Sequence, residues 1–203
     1  MATTTIDTET ELSAVNSILG AIGQSPQTTL NYTNPEVGFI YNLLRDSNVD
    51  VQNEGWHFNT DHHVEFTPDA NKKIPIADTV LRLDVTDGWK DYTRNVVKRN
   101  GVLYDRVDHT DEFDDSVFCD VTYLYTFINI PSVFQRYIIA KASTRAATQL
   151  VNNTQLVTLL GQQELVARAA CLEYECNQGN HSYLGVPEES VYQTYQPYRA
   201  LRR

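Results

Sequence analysis

The sequence predicts an α+β fold, a helical bundle contributed by both chain ends with an antiparallel β-rich domain inserted between them. Three observations carry this expectation. Apolar residues recur at helical spacing towards both ends, from Leu12 to Leu44 and again from Phe134 to Tyr174. From Trp56 onward the apolar period falls to about two, as in half-buried strands. Gly, Pro, Asp and Asn then punctuate the middle of the chain at short intervals, which favours short antiparallel strands over βαβ units.

The first helix is expected to open at Thr8-Glu9-Thr10-Glu11, where the Thr8 hydroxyl and the Glu11 carboxylate can form a capping box. Leu12, Val15, Leu19 and Ile22 follow as its apolar stripe, and Gly23 suits a left-handed stop. Asn34-Pro35 reads as a cap followed by a proline whose missing amide costs nothing in a first turn. Val37, Ile40, Leu43 and Leu44 make the second stripe.

In the middle of the chain, Val64 and Phe66, then Leu81, Leu83 and Val85, mark two strands. Val117, Cys119, Val121, Tyr123, Tyr125 and Phe127 share one face of a third, which places Tyr125 towards the core. "NVVKRNGVLYDR" is a hairpin, because Asn100-Gly101 between two β-prone runs fits a two-residue turn that requires positive φ.

A third helix follows Pro131, with Ser132 and Gln135 placed as a second capping box. Phe134, Ile138, Ala142, Ala146 and Leu150 recur every four residues, while Ala140, Ser143 and Ala147 keep the adjoining faces thin enough for close backbone approach. Asn152-Asn153 interrupts it. A last helix runs from Thr154 to Gln178 with Leu156, Leu160, Ala167, Ala170, Cys171 and Tyr174 as its buried stripe, and Gly179-Asn180 stops it. The organisation is therefore a discontinuous helical domain at 1–55 and 130–180, an inserted β-rich domain at 56–129, and an extended tail at 181–203. Trp56 and Phe58 fall at the junction, as structural anchors.

Composition limits the function. The 203 residues are 41% hydrophobic, enough for a core, and carry a formal net charge of −10, which argues against holding nucleic acid by phosphate neutralisation. Cys119, Cys171 and Cys176 lack paired spacing and read as reduced thiols. Neither a basic-then-apolar leader nor an apolar run of about 18 residues occurs, so no signal peptide or membrane span is expected.

Four groups of residues invite a functional reading. Asp61-His62-His63 resembles a metal motif, but adjacent strand residues point to opposite faces, so no metal site is assigned. The run from Asp108 to Asp115 supplies carboxylates, of which Asp111, Glu112, Asp114 and Asp115 are the candidates for a polysaccharide or peptidoglycan hydrolase; it lacks the alternate-ligand spacing and central glycine of a calcium loop. A solvated acidic loop is the commoner outcome for charge this dense. Tyr92, Tyr104 and Tyr125 would have to form an exposed platform in a glycan-binding module. The tail, finally, sets Tyr192, Tyr195 and Tyr198 among Arg199, Arg202 and Arg203, residue types that concentrate at interface hot spots. Arg136 and Arg145 suit cross-helix ion pairs or a solvated face equally.

Six segments in order, "EGWHFNTD" at 54–61, "TPDANKKIPI" at 67–76, "VLRLD" at 80–84, "NGVLYD" at 100–105, "IPSVFQRYIIAKASTRAA" at 130–147 and "QELVARAACLEYE" at 163–175, resemble the tail tubular protein A family, the head-to-tail adaptors of short-tailed phages. The likeness covers nearly the whole chain. It implies a structural virion protein and no enzyme, with no cofactor, located in the phage tail at the portal vertex and assembled in the host cytoplasm. It further implies a twelve-subunit ring between the portal and the nozzle (tail tubular protein B), around a channel that viral DNA crosses without sequence-specific binding. On that resemblance, Ala140, Ser143 and Ala147 are inter-subunit helix candidates, and the Tyr and Arg residues of the tail are candidates for portal or inter-subunit contact.

Overall fold

The computed structural model describes residues 10–32, 34–85, 94–151 and 153–178. Two helices, α1 (Glu11–Ala21) and α2 (Pro35–Gln52), precede five strands: β1 (Thr60–Phe66), β2 (Val80–Val85), β3 (Val96–Arg99), β4 (Val102–Asp105) and β5 (Val117–Tyr123). Two helices, α3 (Ser132–Ala146) and α4 (Thr154–Gln178), complete the fold, which is α+β as the periodicities predict.

The helix ends follow local chemistry, with two corrections. α1 is capped by Thr10, whose hydroxyl accepts from the Ser13 amide at 3.2 Å, so the cap lies two residues beyond the expected Thr8, which is outside the described residues. At its other end Gln24 donates to the Leu19 carbonyl and Gly23 to that of Gly20, with Gly23 at φ +80, a complete Schellman stop. Asn34 caps α2 through its side chain, ahead of Pro35. Ser132 and Gln135 form no capping box. Pro131 occupies the cap position of α3, and the buried Gln135 instead donates to the Phe127 carbonyl at 2.9 Å, tying the helix to the chain that leaves the sheet.

β5 lies between β1 and β2, antiparallel to both, and β3 pairs with β4 in a separate hairpin. Asn100 and Gly101 adopt φ of 53 and 77, the doubly positive turn that the sequence foretells. A bulge between Asp61 and Val64 breaks strict alternation in β1, and His63 sits there in the left-handed region. β5 stops at Tyr123, so Tyr125 escapes the alternation and is 37% exposed rather than core-facing.

Two apolar clusters result. One joins α1, α2, α3 and α4 with Trp56, Phe127 and Ile130; the other fills the β-region around Leu103, Phe113, Cys119 and Val121. α3 is the central helix, touched by α1, α2 and α4. Its Ala142, Ala146 and Ala147 are wholly buried, which explains why small residues line it. A π-helical turn at Ala147–Val151 then shifts the register, leaving Leu150 45% exposed instead of on the buried stripe.

Candidate functional site

A buried amide network holds the two crossings between helices and strands. Gln52, fully buried at the end of α2, accepts from the Tyr125 amide and donates to the Tyr125 carbonyl, both at 2.8 Å. Asn59, also buried, donates to the carbonyls of Gln52 and Tyr123 at 2.9 Å and accepts from the Trp56 amide at 2.8 Å. Trp56 in turn donates its indole N–H to the Val51 carbonyl at 2.7 Å and stacks obliquely on Phe134, with 4.9 Å between centroids. Phe58 meets the same Phe134 ring at 4.6 Å. The aromatic pair therefore lies where α2, β1 and α3 converge, with both the main-chain amide and the indole N–H of Trp56 hydrogen-bonded. From α4, Glu175 accepts from the His57 amide at 2.7 Å and Arg168 pairs with Glu54 at 3.1 Å. Arg145 forms its ion pair with Asp50 across α3 and α2, whereas no ion pair engages Arg136 among the described residues.

Two of the four candidate carboxylates of the acidic loop are engaged by lysines, whereas Glu112 and Asp115 are exposed. Asp111 pairs with Lys73 at 2.7 Å and Asp114 with Lys72 at 2.6 Å, while Phe113 between them is buried. Hydrogen bonds from these lysines hold both carboxyls below their ordinary range, the reverse of the raised value a glycosidase acid requires. Asp120 gathers the two histidines, accepting from the His63 amide at 3.0 Å and lying 3.3 Å from His62 Nδ1. Among the described residues no group of three or more His, Cys, Asp or Glu is arranged to hold a metal ion. Tyr104 lies under the Arg99 guanidinium at 3.9 Å on the hairpin, whereas Tyr125 is bonded to α2, so the two occupy different elements; Tyr92 is outside the described residues.

The surface of the helices is more telling. α4 carries apolar side chains on all sides, yet only Leu160 and Cys171 of its length are buried. Ala170, expected inside, is exposed. Leu159 and Val166, at 59% and 71% exposure, share its face and overlook a groove of about 580 Å³ between α3 and α4. Leu165 and Leu172, seven residues apart, form a further stripe turned away from the bundle. A soluble helix with this pattern normally finds a second partner. Of the small residues in α3, Ser143 and Ala147 are covered by the chain's own helices, and Ala140 is half-buried. Periodicity cannot tell a small-residue face that packs within the subunit from one that packs outside it; the exposed leucines of α4 were hidden in the sequence because its apolar residues fall on every side, so no one stripe marks the outward face. Tyr192, Tyr195, Tyr198, Arg199, Arg202 and Arg203 lie outside the described residues. No helix among the described residues is long and apolar enough to cross a membrane.

A family model described as tail tubular protein matches residues 12–181, most of the chain. The chain is similar to tail tubular protein A of Klebsiella phage KP34, with 30% identity over 122 residues, a match covering 60% of this chain and 62% of that relative. The chain thus spans less than two thirds of that relative's length. Matched by that family model over residues 12–181, the chain belongs to the tail tubular proteins, structural components of phage tails.

Proposed function

We propose that this protein is a head-to-tail adaptor, a ring of copies that joins the portal to the tail nozzle and forms part of the channel through which DNA leaves. The observation that carries the reading is the unpartnered apolar stripe of α4, Leu165 and Leu172, on a chain that belongs to a tail family. Tyr32 and Phe39, exposed on the α1–α2 side, supply a different apolar surface. Two unlike surfaces meeting between copies make a heterologous contact, and such a contact produces a ring when its rotation closes. Twelve copies are the proposed number. The half-buried Ala140 flanks this contact, with Ser143 and Ala147 supporting it from within.

The discontinuous helical domain docks on the portal, and the inserted β-rich domain presents its loops to the nozzle protein. Tyr192, Tyr195, Tyr198, Arg199, Arg202 and Arg203 contact the portal or a neighbouring subunit, residue types that concentrate at interface hot spots. A net charge of −10 per chain makes the assembled ring strongly negative, so DNA is conducted rather than held. The work is mechanical, requiring no turnover and no cofactor.

The test is to mix the purified protein with the matching portal ring and determine mass and shape by native mass spectrometry and electron microscopy. A stoichiometric ring on the portal is expected. Absence of association at micromolar concentrations would overturn the reading even with the fold intact.

A further inference from the structure

The outward stripe of α4 has the spacing of a coiled-coil seam. Leu165 and Leu172 stand at d positions of a heptad, with Gln162, Ala169 and Cys176 at a. All five are exposed. At 3.6 residues per turn they lie about 100–180° round the helix axis from Cys171. Cys171 is buried and donates to the Val133 carbonyl of α3, so the stripe faces away from α3. We propose that α4 pairs in parallel with α4 of a second copy along this stripe when the protein is not assembled.

The flanks of the stripe choose the occupant and its direction. In a parallel pair each g position meets the e position five residues further along the other helix. Arg168 at g then meets Glu173 of the second copy, and the two-fold axis repeats the pair, so opposite charges meet twice. Arg168 is half exposed and bonded to Glu54 at 3.1 Å, which leaves other guanidinium donors for the second carboxylate. Gly161, also at g, meets Val166 of the second copy. A side-chain carbon built on Gly161 would touch nothing within 4 Å, so Val166, itself 71% exposed, has open helix surface to cover. Reversing one helix exchanges the flanks, which brings Arg168 towards its own counterpart and sets Glu173 against Val166. The parallel pair is therefore the complementary one.

α4 is already formed on α3, so pairing does not bear the nucleation cost that keeps short isolated helices apart. The contact is isologous and closes at two copies, whereas the ring contact is heterologous and sets the same leucines against a different surface. One α4 cannot make both at once. Pairing thus holds copies out of the ring until the portal captures them. That timing role rests on the adaptor reading; the pairing itself does not.

Cys176, at the last a position, is a native probe. In-register parallel helices bring equivalent a residues side by side, close enough for a disulfide. The experiment oxidises full-length protein with copper phenanthroline at micromolar concentrations without portal, reads linked dimer on non-reducing gels, and follows unoxidised protein by sedimentation. A Cys176–Cys176 link is expected, with a dimer that dissociates on dilution. Leu172→Asp keeps Cys176 but puts a charge into the seam, and should lower the linked yield about tenfold. An unchanged yield in that variant would show that the links come from random collision and would overturn the proposal, as would monomer at every concentration. A dimer that forms no Cys176 link would overturn the parallel seam. Gln162→Cys in protein carrying Cys176→Ser should link to itself; links found only when that variant is mixed with the native chain would show an antiparallel pair and sink the proposal. Portal binding is measured on the same samples. A linked dimer that never binds portal leaves the pairing standing, and portal binding without links leaves the adaptor reading standing.

Discussion

Gln52 at the end of α2 and Tyr125 just beyond β5 are joined by two reciprocal hydrogen bonds of 2.8 Å, so one side chain pairs with a main-chain segment as a neighbouring strand would. The bonds lock the chain's exit from the helices to its return from the strands. Gln52 reaches Asn48 as well, at 2.8 Å, which fixes the amide orientation.

Replacing Gln52 by Leu removes the partner of the Tyr125 amide and leaves its carbonyl the Asn48 side-chain amide at 3.3 Å. The expected loss is about 1–3 kcal/mol, chiefly from orphaning one main-chain amide. Urea unfolding followed by circular dichroism measures it. A loss no larger than that of an exposed substitution would show that the bridge contributes little.

Trp56→Ala should cost about 3–5 kcal/mol, since it deletes a buried ring and the indole bond to Val51. Trp56→Phe keeps contact with Phe134 and leaves the Val51 carbonyl only the Glu54 amide at 3.3 Å, so a smaller loss is expected. The difference between the two midpoints in denaturant separates packing from the hydrogen bond.

Leu165→Asp and Leu172→Asp should leave the fold and its thermal midpoint almost unchanged, because these side chains are 69% and 49% exposed. Ring formation on the portal should fail in the same variants. Light scattering with portal present distinguishes this from global damage; normal assembly would remove α4 from the inter-subunit contact.

Burial pushes the Cys119 thiol up to about 11 and that of Cys171 up to about 12, while Cys176 is exposed. At neutral pH neither buried thiol offers appreciable thiolate. A thiol reagent should therefore label Cys176 rapidly in the native protein, and Cys119 and Cys171 only after denaturation. Mass spectrometry of the labelled peptides gives the answer directly.

The Lys72–Asp114 and Lys73–Asp111 pairs produce a pH window of known sign. Folded Asp111 and Asp114 titrate lower than in the unfolded chain, so their contribution is present above the ordinary carboxylate range and lost as pH falls through the lowered folded values. Lys72 and Lys73 titrate higher when folded, so their share is full below the ordinary lysine value and lost as pH rises through the raised one. Both pairs are exposed, so the effect should be small and weaken with salt. Carboxyl-carbon NMR titration of Asp111 and Asp114 in the wild type and in Lys→Gln variants checks the direction.

Much of this fold was legible locally. Asn34-Pro35, Gly23 and Asn100-Gly101 each specify a backbone state through their own φ preferences and hydrogen-bonding atoms, so they read correctly without tertiary information. The start of α4 at Thr154 follows from the same punctuation; its expected stop at Gly179-Asn180 lies outside the described residues. The failures share a different cause. Gln135 looks like a capping residue three positions after Ser132, but a carbonyl from Phe127, distant in the bundle until the chain folds, claims its amide. Tyr125 follows the strand period, yet β5 ends when Gln52 takes over its main-chain bonds.

Sequence by itself determined which segments are helix or strand, where the chain turns, and that its surface is acidic, because those depend on each residue's neighbours and charge. Which apolar face points outward was decided only by tertiary structure. α3 spends its small residues inside the subunit, and α4, resting mainly on that one helix, is left with leucines for a partner, since a helix that is apolar all round cannot bury every side against one principal neighbour.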